Sequence, residues 1–222
     1  MHIHAYVALC LYAGLLAIVR VYLTWDLVLG WLLWNLILAL IPYFFAMLAV
    51  KRWWLLFWIY FSLYLVFLPN SLYIFTDFIH LGRLPAYIHY DIVLISATAL
   101  AGLISGFASI ELMHTYWNHR YHRARAWILV SATMLIALLG VYIGRFLRWN
   151  SWDIVHDPLG LMREIGSLLI SPNSLPAISD ASRAWESLIF GMHAMNVYGF
   201  ISLYFGFYML LYIFLYHTRK VR

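Results

Sequence analysis

Charge is scarce in this sequence. Only 10% of its 222 residues are charged, against about 25% in a soluble domain. That is too little polar surface to cover a water-soluble globule, which excludes an ordinary soluble enzyme or binding module. Cysteine is nearly absent too. The one residue, Cys10, sits in an apolar run, which excludes an internal disulfide and any multi-cysteine metal site. A buried structural thiol is the plain reading. The alternating pattern of short strands and turns is missing, which excludes a membrane barrel. No Gly-rich phosphate loop, G-x-S-x-G elbow or H-E-x-x-H pair occurs. No basic stretch precedes the first apolar run, so that run is expected to stay in place as an anchor.

What remains is apolar. The chain is 65% hydrophobic and 19% aromatic, and its apolar runs approach the roughly 20 residues needed to cross a bilayer as helix. The fold class is therefore all-α: a polytopic transmembrane helical bundle in one integral-membrane domain. About six spans are expected, at residues 5–23, 27–50, 53–75, 89–114, 126–147 and 191–216. Pro42 should kink the second, and Pro69 is expected to break the third. The fourth is rich in Ala, Ser and Gly. Gly102-x-x-x-Gly106 and Gly140-x-x-x-Gly144 put small residues one turn apart on spans four and five. That spacing predicts that the two spans touch and bring Asp91 towards Arg145.

Residues 149–190 form the only long connection. Asp157-Pro158 reads as an N-cap followed by proline at the first helical position. Leu161, Ile165, Leu168 and Leu169 then recur at helical spacing until Ser171-Pro172. This short amphipathic helix could lie at the membrane interface or cover the mouth of the bundle, and both readings stand.

The formal net charge of +5 reports topology, with no implication of a nucleic-acid partner, because Lys and Arg gather in cytoplasmic loops. With the N-terminus inside, the cytoplasmic side holds Lys51, Arg52, Arg120, Arg123, Arg125, Arg219, Lys220 and Arg222; the short outer loops hold only Arg83, with Arg20 near the outer end of span one, and the long connection adds Arg145, Arg148, Arg163 and Arg183 outside. Both termini are thus expected in the cytoplasm. The outer side then receives Asp26, Asn70, Asp77, His80, His89, Asp91, Arg145, Arg148, Asn150, Asp153, His193 and Asn196, with Asn35 in the outer half of span two. Polar groups at membrane depth are expensive and mark function or pairing.

Within that set, Pro69 to Leu81 stands out. Read as a helix, it places Asn70, Tyr73, Asp77 and His80 within an arc of roughly 80°. Asp77 and His80, three residues apart, suit half of a divalent-metal site or a carboxylate-oriented base, though the motif by itself reads more simply as an interfacial helix showing its wet face to solvent or headgroups. At Gly144 to Asp153, Arg145 and Arg148 share a helix face. Guanidinium forks bind oxyanions bidentately, so an anionic lipid or lipid-linked phosphate would fit beside Asn150 and Asp153. Snorkelling arginines anchored by Trp149 and Trp152 fit too, as does internal pairing with Asp77, Asp91 or Asp153. Asp91, entering span four, needs a partner, and Arg145 or Arg148 is the expected one. On the inner side, Glu111-x-x-His114 has a metal-ligand spacing but reads more simply as a cytoplasmic polar edge.

The runs PNSLYIFTDFIHL (Pro69 to Leu81), YD (Tyr90-Asp91) and GVYIGRFLRWNSWD (Gly140 to Asp153), with WN (Trp34-Asn35) upstream, resemble the bacterial integral-membrane family catalogued as domain of unknown function 1361. The likeness covers most of the chain, with Ser71-Leu72 standing where many members have Ala-Pro. It implies a small polytopic protein of the bacterial plasma membrane and brings no established activity. Two functions fit the residues. One is an outward-facing site that binds or processes an anionic substrate, lipid-linked or free, formed by Asn35, Asn70, Tyr73, Asp77, His80, Asp91, Arg145, Arg148, Asn150 and Asp153. The other is a transporter or accessory component in which the same charges form gating or structural pairs.

Overall fold

The computed structural model describes residues 3–25, 30–81, 85–147, 149, 156–170 and 197–220. Every regular element among them is helical. In chain order these are α1 (Ile3–Thr24), α2 (Trp31–Ala49), α3 (Trp54–Tyr73) continued by a 3-10 helix (Ile74–His80), α4 (Ile88–Arg120) entered through a 3-10 turn (Pro85–Tyr87), α5 (Arg123–Tyr142) continued by a π-helix (Ile143–Leu147), α6 (Pro158–Ile170) and α7 (Val197–Lys220). Among the described residues, six stretches are long and apolar enough to cross a membrane: His4–Thr24, Trp31–Ala49, Trp54–Phe78, Ile88–Arg120, Arg123–Leu147 and Val197–Thr218. The protein is a multi-pass membrane protein. The expected beginnings of spans two and six, residues 27–29 and 191–196, lie outside the described residues.

The chain forms two compact units, residues 1–130 and 131–222, and the boundary falls inside α5. In the first unit α4 is the central helix. Its apolar window is 67% buried, against 22–33% for those of α1, α2 and α3. The composition explains the position: Ala97, Ala99, Ala101, Gly102, Ser105, Gly106 and Ser109 are all buried, and small side chains let neighbouring backbones approach. Ala17 and Leu32 pack on Leu94 and Ile95. Ala13 and Leu36 pack on Ala97 and Ala101, and Ala39 and Ile74 pack on Ala99. The outward faces of α1 and α2 carry Leu11, Leu15, Ile18, Trp34 and Ile37, all exposed, as spans bathed in lipid require.

Two expectations are corrected here. Helix α3 does not stop at Pro69; it runs through to Tyr73 with the proline inside. A proline in a span is tolerated when neighbours re-satisfy the freed backbone. The carbonyl that Pro69 leaves without its helical N–H donor is that of Leu65, four residues back; nearby, the Asn70 side-chain amide donates to the Phe67 carbonyl at 3.1 Å. The glycines of α4 also have a partner that spacing did not reveal. A Cβ at Gly106 would lie 2.9 Å from Ser71 Cβ, and one at Gly102 would lie 3.0 Å from Ile74 Cδ1 and 3.1 Å from the Ser71 carbonyl. The small-residue step in α4 therefore seats the end of α3. Ser71 Oγ completes the junction by donating to the Ala39 carbonyl of α2 at 2.7 Å. Helices α4 and α5 meet at an edge-on contact of His114 with Trp127, centroids 4.6 Å apart.

In the second unit an aromatic ladder joins α5 to α7. Phe200 receives the edges of Tyr142 and Phe146 at 5.4 and 5.6 Å and stacks on Tyr204 at 4.3 Å. Helix α6 starts as its sequence demands. Asp157 Oδ1 accepts the Gly160 amide at 2.9 Å, an N-cap with Pro158 in the first helical position.

Candidate functional site

The site begins where α3 tightens. An α-helix advances 100° per residue and a 3-10 helix about 120°. Over the four steps from Tyr73 to Asp77 this adds about 80° to the expected rotation. The single polar stripe of Asn70, Tyr73, Asp77 and His80 is therefore split. Asn70 and Tyr73 are part-exposed, while Asp77 turns into the bundle and is fully buried. There the Asn35 amide of α2 donates to Asp77 Oδ2 at 3.4 Å. Thr76, also buried, donates to the Tyr73 carbonyl at 2.6 Å and holds the tightened turn. His80 stands one 3-10 turn beyond Asp77 along the backbone. Its side chain lies outside the described ones. Asn35 and Asp77, 42 residues apart in sequence, are thus brought together on the first unit. Among the described residues no group of three His, Cys, Asp or Glu side chains is placed to hold a metal ion.

Asp91 has a different role from the one its position suggested. Its partner is Arg20 of α1. Arg20 Nε donates to Asp91 Oδ1 at 2.5 Å and Nη2 to Oδ2 at 3.0 Å, with the two side chains only 3% and 2% exposed. The guanidinium carbon sits 4.5 Å from the centroid of the Tyr87 ring. The neighbouring Tyr90 donates its hydroxyl to the Leu16 carbonyl at 2.6 Å. Together these contacts clamp α1 to α4 through a bidentate, ring-covered ion pair. The expected pairing of Asp91 with Arg145 or Arg148 gives way to this one. The sequence offered one signal: Arg20 is the only charged residue within the first span and must be compensated there.

The second unit carries Arg145 on the π-helix. Such a segment inserts one residue into the turn and re-aims the side chains beyond it. Arg145 is part-exposed, and a Cβ added at Gly144 would lie 3.4 Å from the Trp149 carbonyl oxygen. The Trp149 indole donates to a Glu164 carboxylate oxygen of α6, so the arginine segment is tied to α6 by a carboxylate that no sequence motif singled out. Arg148, Asn150 and Asp153 lie outside the described residues. In the first unit His114 is fully buried against Trp127, so it does not stand on an exposed polar edge.

The model of the family described as "Protein of unknown function (DUF1361)" matches residues 34–179. No curated protein and no solved structure matches.

Proposed function

The chain belongs to that family, and from this premise we propose that it is a multi-pass protein of a bacterial plasma membrane whose outward-facing end binds an anionic, lipid-linked substrate. Both termini are cytoplasmic in this reading, as the Lys and Arg distribution requires. The observation that carries it is Asp77. A fully buried carboxylate at the end of a span, held by the Asn35 amide, is costly to keep and marks a functional position by default. On the first unit, Asn35 orients Asp77. Asp77 with His80 accepts a proton or takes a divalent metal, and Asn70 and Tyr73 offer polar contacts. On the second unit, Arg145, with Arg148, Asn150 and Asp153, is assigned an oxyanion contact of its own, for which a guanidinium fork is suited.

The test is native mass spectrometry of the full-length protein released from nanodiscs holding equal phosphatidylglycerol and phosphatidylcholine with a minor share of polyprenyl phosphate. Preferential retention of the phosphate monoester and the anionic lipid, reduced in Arg145→Ala, is expected. Equal retention of all three lipids would end the proposal. A second reading, a transporter or accessory component whose charges are structural or gating pairs, is favoured by one observation: Asp91 is spent on Arg20. Substrate flux into proteoliposomes without retained lipid would select it.

A further inference from the structure

We propose that α6 lies in the bilayer itself, at the headgroup–acyl boundary of the leaflet that meets the N-terminal end of α7, with an apolar face immersed among lipid chains. The helix has two apolar faces. Of the four leucine and isoleucine positions read in the sequence, three pack inward: Leu168 is 3% exposed, and Leu161 and Ile165 are part-buried, whereas Leu169 turns to the other side. On the other side Leu159, Met162, Leu169 and Ile170 are 67%, 70%, 42% and 85% exposed. At 100° per residue these four fall within an arc of about 100°. Gly166 sits inside that arc, and a Cβ there would meet nothing within 4 Å. A 13-residue helix is about 20 Å long, too short for a hydrocarbon core of about 30 Å. It can lie in the boundary and cannot span it.

The neighbouring contacts say which occupant covers this face. The Tyr198 hydroxyl, in the first turn of α7, donates to the Leu169 carbonyl at 2.7 Å. The end of α6 therefore abuts the end of a candidate span. From Tyr198 onward α7 exposes Leu203, Phe207, Leu210 and Phe214, the surface a span shows to lipid. In the proposal the apolar face of α6 joins that surface where hydrocarbon meets headgroups. Its polar groups are arranged to match. Glu164 is turned away to receive the Trp149 indole. Arg163 is exposed at the edge of the apolar arc, where a long cationic side chain can reach headgroup phosphates.

Spin labels test this on the full-length protein in phosphatidylcholine–phosphatidylglycerol vesicles. Cys10→Ser removes the native thiol, and single cysteines replace Met162, Ile170 and, on the polar flank, Ser167. Collisional access to oxygen, which partitions into lipid, is compared with access to a water-soluble nickel chelate. The expected result is oxygen access several-fold above nickel access at Met162 and Ile170, with the ratio falling towards parity at Ser167. Nickel access at Met162 and Ile170 matching that of a solvated loop would overturn the proposal. Exclusion of both reagents would overturn it equally, since it would mean that protein covers the face, whether a second copy or another segment. If either substitution prevents insertion, Leu159 and Leu169 on the same face give the same reading.

Discussion

Replacing Arg20 by methionine removes one half of a buried, bidentate ion pair and leaves Asp91 behind. With contacts of 2.5 and 3.0 Å and charge centres about 4 Å apart, the attraction is about 4 kcal/mol at an effective dielectric of about 20. Burial of each ion opposes this with a penalty of several kcal/mol, so the intact pair is worth little against a well-packed apolar substitute. The asymmetry lies in breaking it. A carboxylate 2% exposed and stripped of its cation should destabilise the fold by about 3–5 kcal/mol. The paired variant Arg20→Met/Asp91→Leu removes both charges and should fall within about 1–2 kcal/mol of the parent. Arg20→Lys should lie between, since it keeps the charge but loses the fork and the planar stacking over Tyr87. Steric-trap unfolding in bicelles, run as a double-mutant cycle, measures all of these variants. A single variant costing under about 1 kcal/mol, or a double variant costing the sum of both singles, would refute this account of the clamp.

Other perturbations probe separate links. Gly106→Ala sets a methyl 2.9 Å from Ser71 Cβ; overpacking of about 1–3 kcal/mol outweighs the roughly 1 kcal/mol gained in helix propensity, so unfolding in bicelles should show a net loss. Gly206→Ala, whose Cβ would meet nothing within 4 Å, should be neutral or stabilising by up to about 1 kcal/mol in the same assay. Asp157→Ala removes the acceptor of the Gly160 amide and should weaken α6 locally by about 1 kcal/mol, seen as faster hydrogen exchange of its first-turn amides. A cysteine at Arg123 in a Cys10-free background should resist a membrane-impermeant maleimide applied from outside; labelling would overturn the cytoplasmic placement of that loop.

The spans are legible in the sequence because they need only apolar run length, and the start of α6 is legible because Asp157-Pro158 is a local signal. Other features are hidden in long-range packing. Arg20 and Asp91 are 71 residues apart, and no spacing rule pairs them. Pro69 suggests a break because proline interrupts an exposed helix, whereas this one sits inside a membrane-length span, where a proline is tolerated. The tightening of Ile74–His80 into a 3-10 helix accompanies the seating of Ser71 and Ile74 on the glycines of α4, and it removes Asp77 from its expected stripe. The Trp149–Glu164 contact joins two segments that carry no shared motif.

Asp77 remains the centre of the functional account, and an isosteric change tests it most directly. Asp77→Asn keeps the shape and its hydrogen-bonding reach towards Asn35 while removing the charge. Affinity for polyprenyl phosphate and unfolding free energy should be measured on the same full-length preparation in nanodiscs. If Asp77 serves a ligand, affinity falls about tenfold or more, in line with the loss of one charge-assisted hydrogen bond of roughly 1.5–3 kcal/mol, while stability stays within about 1 kcal/mol of the parent. Unchanged affinity together with a loss of several kcal/mol in stability would make Asp77 a structural group and contradict the account.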